Sequence, residues 1–214
     1  MVKKILLFSV LFVCAFTLVG CNGKKGTDYM VLVNKQNKLP DDWEDRIELV
    51  DVTNGLGETV QVEKKAAEAF DKLREDLLKE GITIELDSTY RSVKRQQEIW
   101  DEFLEKYGEE YTKKYVAVPG TSEHHTGLAI DIKIIKDGVV IYDNDEMTAE
   151  REIFSKIHAK LAKYGFILRY PEGKEDVTGY GPEVWHFRYI DDPEVAKEIM
   201  DNNLTLEEYL EKNK

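Results

Sequence analysis

Apolar residues between positions 62 and 80 recur at the spacing of one helical face, with Ala66, Ala69, Phe70, Leu73, Leu77 and Leu78 three or four apart and Gly81 following as a stop. The pattern predicts an amphipathic helix over 62–80. After Gly81 the period shortens to two. Residues 82–86 alternate apolar and polar side chains and are enriched in β-branched types, which predicts a strand that delivers Asp87-Ser88-Thr89-Tyr90-Arg91 at its end. The same reading places helices over 93–107, 149–164, 194–200 and 206–211, and strands over 128–135, 139–142, 166–169 and 185–190. The strands are short and some are joined by hairpin-length loops such as Lys136-Asp137-Gly138, which favours a mixed α+β fold.

The N-terminus obeys a different pattern. Lys3 and Lys4 precede an almost uninterrupted apolar run from Ile5 to Val19, shorter than the roughly 20 residues of a membrane-spanning helix. Residues 1–20 therefore read as a signal peptide. The run closes on Leu18-Val19-Gly20-Cys21, which resembles the bacterial lipobox. That resemblance implies cleavage before Cys21, a diacylglycerol on its sulfur, and an extracytoplasmic domain held to the cell membrane; two acyl chains anchor stably where one binds marginally. Residues 21–28, polar and without apolar periodicity, read as the tether, and 29–214 as one folded domain. The second cysteine, Cys14, lies in the discarded segment, so no internal disulfide is expected in the mature chain.

Composition narrows the partners. With 42% apolar residues in 214, the chain can bury a core of ordinary size. Its formal charge of −12 opposes binding to nucleic acid or to anionic lipid headgroups, so membrane contact is expected through the anchor alone. The domain is expected to act as a monomer.

Two clusters carry the chemistry. In Pro119-Gly120-Thr121-Ser122-Glu123-His124-His125-Thr126-Gly127-Leu128-Ala129-Ile130-Asp131, histidine and carboxylate flank a glycine-marked turn that leads into an apolar strand. In Gly181-Pro182-Glu183-Val184-Trp185-His186-Phe187-Arg188-Tyr189, a glutamate stands three residues before a histidine. A catalytic zinc site needs three protein ligands, an open position for water and a nearby carboxylate base, a specification that His124, Asp131, His186 and Glu183 meet. Spacing leaves one assignment open. Strict alternation back from Asp131 puts His125, not His124, on its face, while Gly127 permits a break in the alternation. A serine triad of Ser122, His124 and Asp131 is disfavoured by their closeness in sequence and by the lack of a Gly-x-Ser-x-Gly elbow. His158, mid-helix and outside any ligand motif, reads as structural.

Ser122-x-His124-x-x-Gly127-x-Ala129-x-Asp131 followed by Glu183-x-Trp185-His186 resembles the VanY-type D-alanyl-D-alanine carboxypeptidases, zinc peptidases that also include L,D-carboxypeptidases. The resemblance runs from about Val31 to Ile190 and takes in Ser88-Thr89-Tyr90-Arg91-Ser92 with Gln96 five residues after the arginine. It implies a small, mainly antiparallel sheet with flanking helices, of the hedgehog/DD-peptidase kind, with the zinc site at the sheet. It further implies one zinc per chain on His124, Asp131 and His186, Glu183 as general base, Arg91 stabilising the oxyanion, and Gln96, Ser122, Tyr90 and Trp185 as substrate contacts. The substrate implied is a peptidoglycan stem peptide ending in D-alanine. Thr89 stands where the family usually has glycine, and Val184 where it has proline. Two rival readings stay open: an L,D-carboxypeptidase acting on tetrapeptide stems, and a noncatalytic lipoprotein that binds muropeptides, which would have no need of Glu183.

Overall fold

The structure, a computed structural model, describes residues 26–214. The predicted signal peptide, Cys21 and most of the tether lie outside the described residues. After a 3-10 turn at Trp43–Asp45 comes a hairpin of β1 (Leu49–Thr53) and β2 (Thr59–Glu63), paired antiparallel from Leu49↔Glu63 to Thr53↔Thr59. Its turn is held by Asn54, whose Oδ1 accepts the backbone N–H of both Leu56 and Glu58. Helix α1 (Lys64–Leu78) follows directly, capped by the Glu63 carboxylate accepting from the Ala66 N–H at 2.9 Å. The helix expected over 62–80 thus starts two residues late. Val62 suits a helical face, but it is fully buried as a strand residue of the hairpin.

The main sheet contains β3 (Thr83–Leu86), β4 (Ala129–Lys136), β5 (Val139–Ile141), β6 (Phe166–Tyr170) and β7 (Glu183–Tyr189). Its order is β3-β4-β7-β6, and every neighbouring pair is antiparallel. β5 takes the same edge of β4 as β7, further along, so that Ile134 pairs with Ile84 on one side and Ile141 on the other. The α+β class with a mainly antiparallel sheet is as expected.

Side-chain alternation on β4 and β7 decides where the site lies. Ile130, Ile132 and Ile134 of β4 and Phe187 of β7 turn into a core completed by Phe70, Leu73 and Leu77 of α1 and by Phe154, Ile157 and Leu161 of α5 (Arg151–Leu161). Each such large apolar side chain contributes roughly 1.5–3 kcal/mol on burial. The opposite face of the same two strands carries Asp131 and, across the ladder, His186 and Arg188.

The remaining helices are α2 (Val93–Tyr107), α3 (Glu109–Tyr115), α4 (Asn144–Ala149), α6 (Glu175–Thr178), α7 (Pro193–Asp201) and α8 (Leu206–Lys212). The single helix expected over 149–164 is three pieces. Glu150, at φ −80 and ψ 47, separates α4 from α5, and residues 162–164 tighten into a 3-10 turn that ends on left-handed Gly165. α7 and α8 close a second cluster with Ile167 and Ile190.

Candidate metal centre and active site

Gly127 resolves the choice between the two adjacent histidines. It adopts φ 70 and ψ 0, the left-handed region, and a Cβ there would meet Leu49 Cδ2 at 2.9 Å, so the position favours glycine on both counts. The 3-10 turn Glu123–Thr126 that it ends breaks the strand alternation and sends the histidines to different places. His124 joins Asp131. His125 instead accepts the Gly120 N–H on Nε2 at 3.1 Å and holds Nδ1 at 2.6 Å from the Arg91 carbonyl, which fixes it as the Nδ1–H tautomer.

One donor atom each from His124, Asp131 and His186 lies within 4.8 Å of the others. The Nδ1 of His124 donates to the Thr89 carbonyl at 2.7 Å, leaving Nε2, 3.2 Å from Asp131 Oδ2, as the free ligand atom. His186 Nδ1 approaches Asp131 Oδ1 at 2.8 Å, yet that oxygen has no aligned hydrogen-bond donor. Ring nitrogens that converge on a carboxylate without an N–H aimed along the contact are disposed to share a cation. Two imidazoles and one carboxylate form a donor set suited to a catalytic divalent metal such as zinc. Burial alone would raise the Asp131 carboxyl, but the two imidazoles beside it hold it far below the usual range. Burial would likewise lower His186, and Asp131 overrides it and raises that ring well above its ordinary value.

Glu183 opens β7 with Oε2 3.6 Å from His186 Nδ1, and its side chain is 32% exposed to the cleft. Desolvation raises its carboxyl to about 7, with His186 opposing and the Asp131 and Glu123 charges adding to the rise. A carboxylate poised near neutrality is suited to take and return a proton. His124 has Nδ1 engaged by Thr89 and Nε2 turned to Asp131, so no ring nitrogen serves Ser122, and the serine-triad arrangement is absent.

The cleft at this face has a volume of about 310 Å³, and Arg91, Gln96, Ser122, Trp185 and Glu183 all line it. Arg91 is held by Nη1 to Gln96 Oε1 and by Nη2 to Ser88 Oγ, both at 3.0 Å. Gln96 is itself engaged at both ends, since its Nε2 donates to the Ala117 carbonyl at 2.8 Å. Its place is behind the guanidinium, which it orients. Tyr90, expected among the substrate contacts, lies elsewhere: its hydroxyl donates to Glu44 and it lines a second, smaller cleft with His125. The two departures from the family pattern are accommodated. Thr89 Oγ1 donates to the Gln61 carbonyl at 2.6 Å, tying the loop to β2. The Val184 carbonyl accepts from His158 Nε2 at 2.8 Å, a structural role for that histidine.

Sequence reasoning missed four charged residues behind the centre. Glu123 is buried, with Oε1 accepting from Arg169 Nε at 2.7 Å and Arg188 Nη1 at 2.8 Å. Arg169 also makes a two-pronged contact with Glu207 of α8, and Arg188 Nη2 donates to the carbonyls of Tyr29 and Val31. The available signal was Arg169 in an otherwise apolar strand and Arg188 between the aromatic residues Phe187 and Tyr189, each of which demands an acidic partner if buried.

Comparison with known proteins agrees with this geometry. The family model for VanY, D-alanyl-D-alanine carboxypeptidase, matches residues 59–192. YodJ of Bacillus subtilis (strain 168), a protein named as a carboxypeptidase, is 41% identical over 189 residues, covering 86% of this chain and 68% of its own length. The solved LdcB LD-carboxypeptidase superposes with a TM-score of 0.74 at 39% identity, covering 86% of each chain. A mutant of the D,D-pentapeptidase VanY in complex with Zn(II) superposes with a TM-score of 0.69 at 32% identity, covering 85% of this chain and 98% of that one.

Proposed function

The chain belongs to the VanY D-alanyl-D-alanine carboxypeptidase family, and on that premise we propose that it is a zinc enzyme that hydrolyses the C-terminal D-alanine from peptidoglycan stem peptides ending in D-Ala-D-Ala. The observation that carries the reading is the meeting of His124, Asp131 and His186 with a Glu183 whose carboxyl sits at about 7. Bound there, zinc supplies Lewis-acid polarisation of the scissile carbonyl and acidifies water. Glu183 takes the proton of the attacking water and returns it to the departing amine of D-alanine. Arg91, pinned by Gln96 and Ser88, presents a fixed cation to the oxygen on which negative charge develops. Ser122 and Trp185 border the same cleft, which supports a part for them in contacting the peptide.

A second reading is supported by the likeness to an LD-carboxypeptidase at 39% identity: release of D-alanine from a tetrapeptide stem, where the residue before the cut presents an L-centre. With Cys21 lipidated, either activity would be held at the outer face of the cell membrane, beside its substrate. The test is mass-spectrometric detection of D-alanine released from pentapeptide and tetrapeptide stems, with and without chelator, beside Glu183→Ala. Chelator-sensitive release from pentapeptide only is the result expected. Release from tetrapeptide only would replace it with the L,D activity, and release from neither by the zinc-loaded protein would overturn the carboxypeptidase reading.

A further inference from the structure

Behind the three ligands, two polar atoms face each other without a partner of their own. His186 Nε2 and Glu123 Oε2 are 3.6 Å apart, both are buried, and neither makes a hydrogen bond. Leaving such atoms unpaired is costly, on the order of 1–3 kcal/mol each and more for a charged group. The arrangement around them is nonetheless ordered. Glu123 lies one residue before ligand His124 and is fixed from behind through its other oxygen, by Arg169 and Arg188. His186 and Arg188 are two apart on β7 and so share a face, which aims both at the same carboxylate.

We propose that Glu123 is a positioning residue for zinc: it accepts the Nε2–H of His186 and thereby fixes the tautomer that presents Nδ1, the nitrogen beside Asp131, to the metal. A metal-ligating imidazole needs its other nitrogen to carry the proton, and a carboxylate acceptor there orients the ring and raises its basicity. Arg169 Nε and Arg188 Nη1 both donate to Oε1, at 2.7 and 2.8 Å, which leaves Oε2 as the oxygen turned to His186. The arginines also neutralise the charge that would otherwise be stranded in the interior. Through Arg169 the array continues to Glu207, so helix α8, outside the residues matched by the family model, braces the metal ligand.

The proposal rests on the metal reading of His124, Asp131 and His186, not on which peptide is cut. Its test is zinc affinity, measured by competition with a chromophoric chelator, for the wild type and Glu123→Gln. The substitution keeps shape, but Arg169 and Arg188 require the amide oxygen, which turns the NH₂ toward His186 Nε2 and disfavours the needed tautomer. We expect roughly 10- to 100-fold weaker zinc binding, with Glu207→Gln weaker in the same direction and by less. Zinc affinity in Glu123→Gln within threefold of the wild type would overturn the proposal. If Glu123→Gln does not fold, nitrogen-15 chemical shifts of the wild-type zinc form decide: His186 protonated at Nε2 supports the proposal, and an unprotonated Nε2 ends it. A wild type that binds zinc but cleaves no stem peptide would leave this inference standing while removing the proposed activity.

Discussion

Asp131 and His186 are direct cross-strand partners on β4 and β7, and their side chains meet at 2.8 Å on the face opposite the isoleucine core. Two of the three candidate ligands are therefore set by sheet register, and the third, His124, by a turn whose end requires glycine.

Metal uptake should release a proton. In the metal-free protein Asp131 keeps His186 protonated to well above neutral pH, and a ligating imidazole must give that proton up. Isothermal titration of zinc at pH 7 in buffers of different ionisation enthalpy should show a proton released per zinc in the wild type, and zinc affinity should rise with pH. Chelation should abolish D-alanine release.

Glu183→Gln should retain zinc while kcat falls by on the order of 10²- to 10⁴-fold. The residue also predicts a stability signature in the metal-free protein. Folding raises its carboxyl from 4.5 to about 7, so the folded state prefers the neutral form. Its stabilising contribution is complete below pH 4.5 and disappears as pH rises through 7. Denaturant titrations across this window should show that decline in the wild type and a smaller one in Glu183→Gln.

Arg91→Lys should lower kcat by on the order of 10²- to 10³-fold, the loss typical of one oxyanion donor. Lysine is a single-point cation and cannot span Gln96 Oε1 and Ser88 Oγ as the guanidinium does. Steady-state kinetics should place most of the loss in kcat, and metal analysis should show zinc content unchanged.

His125→Ala should cost about 1–3 kcal/mol of stability for each backbone group it strands, at Arg91 and Gly120. Burial lowers this histidine below its ordinary 6.5. The clamp's stability is thus fully present above pH 6.5 and is lost as pH falls below that value. The difference in unfolding free energy between wild type and His125→Ala should shrink on acidification, as read by denaturant melts at pH 7.5 and pH 5.

Cys21→Ser should move the protein from the membrane fraction to the soluble one. Fractionation of cells with an antibody to the folded domain reads the outcome, and retention of the serine variant in membranes would remove lipidation as the anchor.

The elements read well where local signals agreed. The boundaries of α2 are those expected, because Ser92 caps the start by accepting the Arg95 N–H and Gly108 follows the end. The candidate metal ligands were suggested by two clusters, one around a glycine turn and the strand after it and one ending on His186, and the choice among them came from the resemblance to the VanY-type family. The β1–β2 hairpin was not, since Val62 fits either period. Tyr90 and Arg91 illustrate a signal left unused. In an extended segment consecutive side chains point opposite ways, so an arginine in the cleft already turns its tyrosine neighbour out. The buried charges of Glu123, Arg169, Arg188 and Glu207 could not be paired from sequence, because they come from four segments that meet only in the folded chain.

The cleft has walls of two kinds. The ligands and Glu183 stand on the turn and on β4 and β7, whereas Ile99 and Phe103 of α2 and Asn144 and Met147 of α4 line the cleft from helices. The strand wall and the helical wall are distinct surfaces of one cleft, tied together where Gln96 of α2 holds Arg91 and where α4 packs on β7. Asn144, exposed at the start of α4, is a place to alter the helical wall without replacing a candidate ligand, Glu183 or Arg91.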